Sequence, residues 1–406
     1  MLILAVLAVV LLTTLAVAIT AAVRVELLAS RSALERTQAL FLAEAGINRA
    51  RAILLYEDVS VDSLQDPWGP HYEEPLYLPR DLGLGTYQVR VIDASGRINV
   101  NRASHETLYN LTGDSDIAAA IIDWRDPDDE ARPGGAEWEY YQALPSPYLP
   151  RNAAFQSLGE LLLVKGMTPE LFFGTPDAPG LADLLSVESV SLNVNALGQS
   201  RIGLNSFRQW DEGAFRDQIM ARLGGALTMY DANEIWQGLV ELSTIGQEYT
   251  SLSQLYTVAG LSLDKIAAII DDVAIDARRF VRGKVNVNTA PLAVLAALPG
   301  SSPELAAEIV DLRWETPLTS LSEVAFLLLE QAQPPEVLAM FIDQVTTKSS
   351  SFVIESTGQA RDGGVTRNLR AFVRREDDGV PIVHQIEQEW ALPPQEIELD
   401  IARLRR

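Results

Sequence analysis

The chain has 406 residues, 48% hydrophobic and 21% charged, a length at which one hydrophobic core stops growing and more than one domain is expected. Its 32 Lys+Arg against 55 Asp+Glu leave a net charge of −23, the wrong sign for non-specific binding to a phosphate backbone. Cysteine is absent and the three histidines (His71, His105, His384) have no metal-ligand spacing, which excludes disulfides, thiol chemistry and Cys-based metal sites and argues against most His-based catalysis.

From Met1 to Val23 there is no charged residue, and the first is Arg24. A hydrocarbon core of roughly 30 Å needs about 20 helical residues, so this segment reads as a membrane span anchored by Leu2, Leu4, Val6, Leu11, Leu15 and Val23. A cleaved secretory signal fits less well, because Met1 is followed by Leu-Ile-Leu with no basic start. Val25 to Tyr56 contains no Pro and one Gly, Gly46, while Leu27, Leu34, Phe41 and Ile47 recur at helical spacing between charged faces. One helix of about 50 residues follows, apolar all round and then amphipathic; a span plus a separate helix is the alternative.

Asp66 to Pro79 is too rich in Pro for regular helix, and Gly85 to Asp93 alternates as a strand, with a hairpin turn expected at Ala94-Ser95-Gly96. An internal repeat then begins. Ile98-Asn99-Val100-Asn101, Leu192-Asn193-Val194-Asn195 and Val285-Asn286-Val287-Asn288 are three copies of one tetrad, a little under 100 residues apart. A second marker follows each: Ser157-Leu158-Gly159-Glu160, Ser251-Leu252-Ser253-Gln254 and Ser320-Leu321-Ser322-Glu323.

In the third copy the step Asn288 to Pro291 caps a helix over 292–298, Pro299-Gly300 stops it, and a second helix spans 303–313. That is a helix-hairpin-helix pattern of the kind that binds DNA backbone. Here Glu304 and Glu308 follow the hairpin, and the first copy carries Asp114 and Asp116 where a phosphate would sit, so DNA contact is not expected.

Between the first tetrad and its marker lies an acidic loop with Asp123, Asp126, Asp128, Asp129, Glu130 and Glu137, broken by Pro127, Pro133 and a Gly pair. Clustered hard oxygens of this sort suit calcium, while a solvated acidic surface is the plain alternative. Trp124 and Trp138 read as core aromatics, with Tyr140, Tyr141 and Tyr148 closing the loop over them. Paired carboxylates do not by themselves make a glycosidase, and no GxxxxGK loop or GxSxG elbow occurs, so no enzymatic activity is expected.

The last readable elements are two strands, 351–358 and 365–374, joined by a turn at 361–364. They are expected to pair with the strand at 85–93, leaving the helical region as an insertion between strands of one domain. The fold class is therefore α+β: residues 1–56 a transmembrane and amphipathic helix, 57–101 and 346–374 an α+β domain, 102–345 an inserted helical domain with helix-hairpin-helix-like repeats, and 375–406 a loose tail.

The long N-terminal helix with Phe41-Leu42-Ala43-Glu44-Ala45-Gly46 resembles type IV pilins and pseudopilins. Ile122-Asp123-Trp124-Arg125-Asp126-Pro127-Asp128, Gly135 to Tyr141, and Pro147 to Asn152 resemble the central block of the minor pseudopilin K family of type II secretion, as do the first and third tetrads. The family's basic leader would lie upstream of Met1, and its lack of the acidic residue that most pilins carry near the mature start is matched here. The copy around 192–255 is more than that family leads one to expect and reads as an enlargement.

The resemblance implies a minor pseudopilin at the tip of the pseudopilus, single-pass in the bacterial inner membrane with its bulk in the periplasm. It would nucleate the filament with I-like, J-like and H-like minor pseudopilins, and meet the assembly platform and prepilin peptidase. It also implies calcium in the helical domain, carried here to Asp123, Asp126, Asp128 and Glu137. A membrane-anchored DNA receptor built on the repeats is the competing function.

Overall fold

The computed structural model describes residues 2–57, 60–209, 211–275, 277–330, 334–361, 364–376 and 379–389. Helix α1 runs unbroken over Leu2–Tyr56, about 80 Å at 1.5 Å per residue. Nearly every side chain from Leu2 to Leu34 is exposed, including the anchor residues Leu2, Leu4, Val6, Leu11, Leu15 and Val23. It is one helix long and apolar enough to cross a membrane. Only its second half enters a core, through Leu42, Ala43, Ile47, Ala50 and Leu54.

That half lies on an antiparallel sheet of five strands in the order β1 (Arg80–Asp81), β2 (Gly85–Asp93), β3 (Ser351–Ala360), β4 (Thr366–Arg375), β5 (Pro381–Glu389). Ile354 opposes Val91 on one side and Ala371 on the other, so the strand at 85–93 pairs with the C-terminal strands as the alternation predicts. Tyr87, Val89, Val91, Phe352, Ile354, Leu369, Ala371 and Val373 face α1 and form a core with Trp68 and Leu76. The helix can lie this close because a Cβ on Gly46 would sit 2.1 Å from Ser356 Oγ, and one on Gly358 2.1 Å from the Ala39 carbonyl.

Two expectations fail at the ends of this sheet. Ala94–Gly96 is a single 3₁₀ turn that leads the chain out of the sheet, not a hairpin: Asp93 accepts from Ser95 N, and the next strand pairs elsewhere. The expected loose tail contains β5, which extends the sheet past a bulge at Phe372/Val373. The turn at 361–364 includes Asp362 and Gly363, and the tail includes Pro393 and Pro394; these lie outside the described residues.

Between β2 and β3 the helical region shares a second, larger core. It is built from three units, each closed by a two-residue parallel bridge between its beginning and its end. Ile98–Asn99 pairs with Leu185–Ser186, Ile202–Gly203 with Val273–Ala274, and Val285–Asn286 with Val345–Thr346. Each unit opens with a helix pair: α2 (His105–Thr112) and α3 (Ser115–Arg125) in the first, with the short helix α4 (Trp138–Gln142) after them. In the second the pair is α5 (Glu212–Leu223) and α6 (Met229–Thr244). In the third it is α7 (Leu292–Ala296) and α8 (Pro303–Glu315), followed later by α9 (Pro335–Ile342).

The side chains repeat with the backbone. Asn101 Oδ1 accepts from Phe155 N at 2.7 Å and its Nδ2 donates to Phe155 O at 3.0 Å. Asn288 brackets Leu318 at 2.9 and 2.8 Å, and Asn205 brackets Tyr249 at 3.0 and 2.8 Å. Two residues after each bracketed residue stands the serine of the second marker. Its acidic or amide partner caps the turn: Glu160 accepts from Ser157 N, Gln254 from Ser251 N and Glu323 from Thr319 N.

The second tetrad is thereby corrected. Leu192-Asn193-Val194-Asn195 is not the counterpart of the other two; Ile202-Gly203-Leu204-Asn205 is, with Gly203 in place of the first Asn. Val190–Leu192 instead pairs antiparallel with Phe280–Arg282, making a stem from which the whole second unit is inserted.

Candidate metal centre

Helix α3 ends at Asp126 because Pro127 disfavours helical backbone before it. The loop that follows folds back around Asp123, which is fully buried. Asp123 Oδ2 accepts from Arg132 N at 3.1 Å and Ala136 N at 2.9 Å, and Oδ1 accepts from Arg132 Nη1 at 2.8 Å. Gly135 is required, since a Cβ there would sit 1.9 Å from Asp123 Oδ2. Lys165 Nζ clamps the loop from the other side, donating to Gly134 O and Gly135 O at 3.0 Å. Asp123, one of the four predicted ligands, is therefore a loop organiser whose oxygens are spent on protein donors, and it stands outside the carboxylates that converge.

The other three predicted ligands do converge. Carboxylate oxygens of Asp126, Asp128 and Glu137 lie within 4.8 Å of one another. Glu137 is 4% exposed, and neither of its oxygens has a hydrogen-bond donor; Asp126 Oδ1 is likewise buried without one. Loss of hydration, reinforced by Asp123, Asp126, Asp129 and Asp128, pushes the Glu137 carboxyl up to about 7. Arg132 offsets part of this charge through its contact with Asp126 Oδ2.

Asn152 is bonded to the same acidic loop and was not expected from the sequence. It holds φ +45°, a strained left-handed backbone for a non-glycine residue, and its Nδ2 donates to Asp128 O and Asp129 Oδ1, each at 2.9 Å. Its Oδ1 is buried without a donor. Oxygens of Glu137 and Asp126 thus stand together with lone pairs that no protein group satisfies, and the Asn152 side chain is tied to the same loop. That donor set fits a hard divalent cation such as calcium.

The aromatic expectation holds for one of its two tryptophans. Trp124 is buried against Tyr141, Tyr148 and Phe155, with ring centroids at 5.3, 6.3 and 6.4 Å, whereas Trp138 is nearly half exposed.

The hairpins of the helix pairs are poor phosphate sites. A Cβ on Gly300, in the third unit, would lie 2.6 Å from Val337 O, so α9 covers that turn. Residues 102–345 carry 34 Asp+Glu against 15 Lys+Arg, most of the chain's charge imbalance.

Family models described as type II secretion system (T2SS), protein K, match residues 96–173 and 285–348, which are most of the first unit and the third. A type II secretion system protein K of Pectobacterium carotovorum subsp. carotovorum is 35% identical over 94 residues, 22% of this chain and 28% of that protein. Another, of Klebsiella pneumoniae, is 27% identical over 166 residues, 41% of this chain and 44% of that protein. The matches thus span less than half of these relatives' length. The fold is similar to a chain in the crystal structure of the GspK-GspI-GspJ complex from the enterotoxigenic Escherichia coli type 2 secretion system. The TM-score is 0.52 at 13% identity, covering 89% of this chain and 99% of that one.

Proposed function

The chain belongs to the type II secretion system protein K family, and from that premise we propose that it is a minor pseudopilin at the tip of the periplasmic pseudopilus. The observation that carries this reading is α1, whose apolar first half is bare while its second half is seated on the sheet. A helix built in this way serves as inner-membrane anchor and as filament core at once. No carboxylate lies between Leu2 and Val23 to neutralise the amine of a subunit ahead, so this subunit need not follow another.

The helical insertion leaves and re-enters the sheet at one end, at Asp93 and Ser351, where its bulk would obstruct a further subunit. The partners are then I-like and J-like minor pseudopilins, with an H-like one below them, the assembly platform in the membrane and prepilin peptidase for maturation. A similar fold in a complex of three such proteins supports the first two. The role is structural and not enzymatic. We read the three units as helix-hairpin-helix-like repeats retained for packing, with the DNA-binding use of such a motif disfavoured by charge.

Calcium belongs to the same proposal: Asp126, Asp128 and Glu137, with Asn152, would hold it and fix the loop after α3. The test is co-purification of the full chain in detergent with its I-like and J-like counterparts, with and without chelator. A ternary complex is expected, weakened by chelator. Its absence in both conditions overturns the tip assignment, and normal secretion by a chain lacking residues 102–345 overturns the steric part.

A further inference from the structure

The chain has two apolar cores, one under α1 and one shared by the three units, and among the described residues no buried apolar side chain belongs to both. The joint between them is largely polar. Thr346, Thr347, Lys348, Ser349, Ser350 and Ser351 run from the closing bridge of the third unit into β3, and none is more than 7% exposed. A polar run is buried in this way only where its groups find partners.

The partners come from each part of the chain that meets there. Thr347 O accepts from Asp62 N at 3.2 Å, in the segment after α1, and Ser350 N donates to Val190 O at 2.9 Å, in the stem of the second unit. Lys348 Nζ donates to Asn195 O at 2.8 Å. Ser349 has the most varied set. Its N donates to Asp62 Oδ2 at 2.7 Å, and its Oγ donates to Asp93 Oδ2 at 2.6 Å while accepting from Asn286 Nδ2 at 2.9 Å.

Asp93 is the last residue of β2 and is 5% exposed. Two more donors reach its Oδ2 from the third unit, Thr289 Oγ1 at 2.6 Å and Asn286 Nδ2 at 3.2 Å. The third unit thus grips the sheet through one buried acid. Beside it, Gln65 Nε2 donates to Trp314 O at 2.9 Å, and His71 packs on Trp314 with ring centroids 4.1 Å apart. An apolar interface can slide, because burial of apolar surface has no preferred direction. Hydrogen bonds to a buried carboxylate have one, and turning the insertion would leave that charge short of donors.

We infer that the run from Thr346 to Ser351 is an orientation lock, which fixes the angle at which the helical insertion stands on the sheet. Ser349 is its central positioning residue, and Asp93 is the catch on the sheet. In a filament subunit that angle decides which surfaces the insertion covers, and the lock itself does not depend on the tip assignment.

The absence of cysteine allows spin labels to be placed at chosen positions. In the full chain in detergent micelles, labels at Gln359→Cys on β3 and Asp311→Cys on α8, both exposed, should give one narrow distance distribution by double electron–electron resonance. Ser349→Ala should broaden that distribution severalfold. A second pair inside the insertion, Glu106→Cys with Asp311→Cys, should stay narrow in the same variant, which shows that the insertion is still folded. If Ser349→Ala disturbs this pair as well, Thr289→Val replaces it, since it removes one donor to Asp93 with little change of shape. A wild-type distribution that is already broad overturns the lock. So does one that stays narrow in both variants, because the angle would then be held by other contacts.

Discussion

Arg125 and Arg313 occupy the same place in two different units. Arg125 donates from Nη1 to Val100 O and from Nη2 to Ala103 O; Arg313 donates from Nη1 to Val287 O and to Ala290 O, both at 2.6 Å. Each guanidinium closes the turn between its tetrad and its first helix, and burial lowers both groups to about 10, still charged at neutral pH.

Removing either group leaves two carbonyls buried without donors. Arg313→Met is expected to destabilise the third unit by about 2 to 4 kcal/mol, and Arg125→Met by somewhat less because it is more exposed. Hydrogen exchange of the amides of α7 and α8 checks this, since it resolves one unit where a global melt does not.

The Glu137 carboxyl gives the loop a pH dependence of defined sign. Its folded value, about 7, lies above the ordinary 4.5, so without a cation the charged form costs stability at about pH 8. That cost shrinks steadily as pH falls below 7 and is gone only below the ordinary value of 4.5. With chelator, the melting temperature of the chain in detergent should therefore rise between about pH 8 and pH 6. Calcium should raise it most at about pH 8, where the carboxylate is free to ligate.

The asparagine brackets predict which amide matters in the second unit. Asn205→Ala should destabilise that unit by about 2 kcal/mol, because it strips donor and acceptor from the backbone of Tyr249. Protection of the amides of α6 would report it. An unchanged exchange pattern would return the role to Asn195.

Duplex DNA should not bind. Fluorescence anisotropy with a short labelled duplex is expected to show no saturable binding even at about 50 mM salt, given the acidic insertion and the covered turn at Gly300. Salt-sensitive binding would revive the receptor reading.

The parts of the fold that were legible in the sequence are those where one physical signal dominates. An uncharged run from Leu2 to Val23 and the lack of Pro up to Tyr56 specify α1, and alternation over Gly85 to Asp93 specifies a strand with one covered face. The repeat was visible, but its second copy was misread because identical letters at Asn193 and Asn195 outweighed position. Spacing reinforced the misreading, because Ser251 follows Asn195 by 56 residues just as Ser157 follows Asn101. Strand β5 was hidden because it is a sheet edge, open on one side, with its alternation broken by the bulge opposite Phe372 and Val373. Asp126, Asp128 and Glu137 were legible as oxygen donors from composition and spacing. The burial of Asp123 and the left-handed Asn152 depend on how the loop folds back, which no local pattern encodes.

The bed of α1 also has a mechanical meaning. The helix packs on the middle strand, with Gly46 and Gly358 allowing near contact, and that strand is paired over nine residues with the neighbour on each side. A pull along the helix would pass through this packing into that strand and be shared among its hydrogen bonds to both neighbours. A subunit lifted by its tail would move as one rigid piece, carrying the insertion with it.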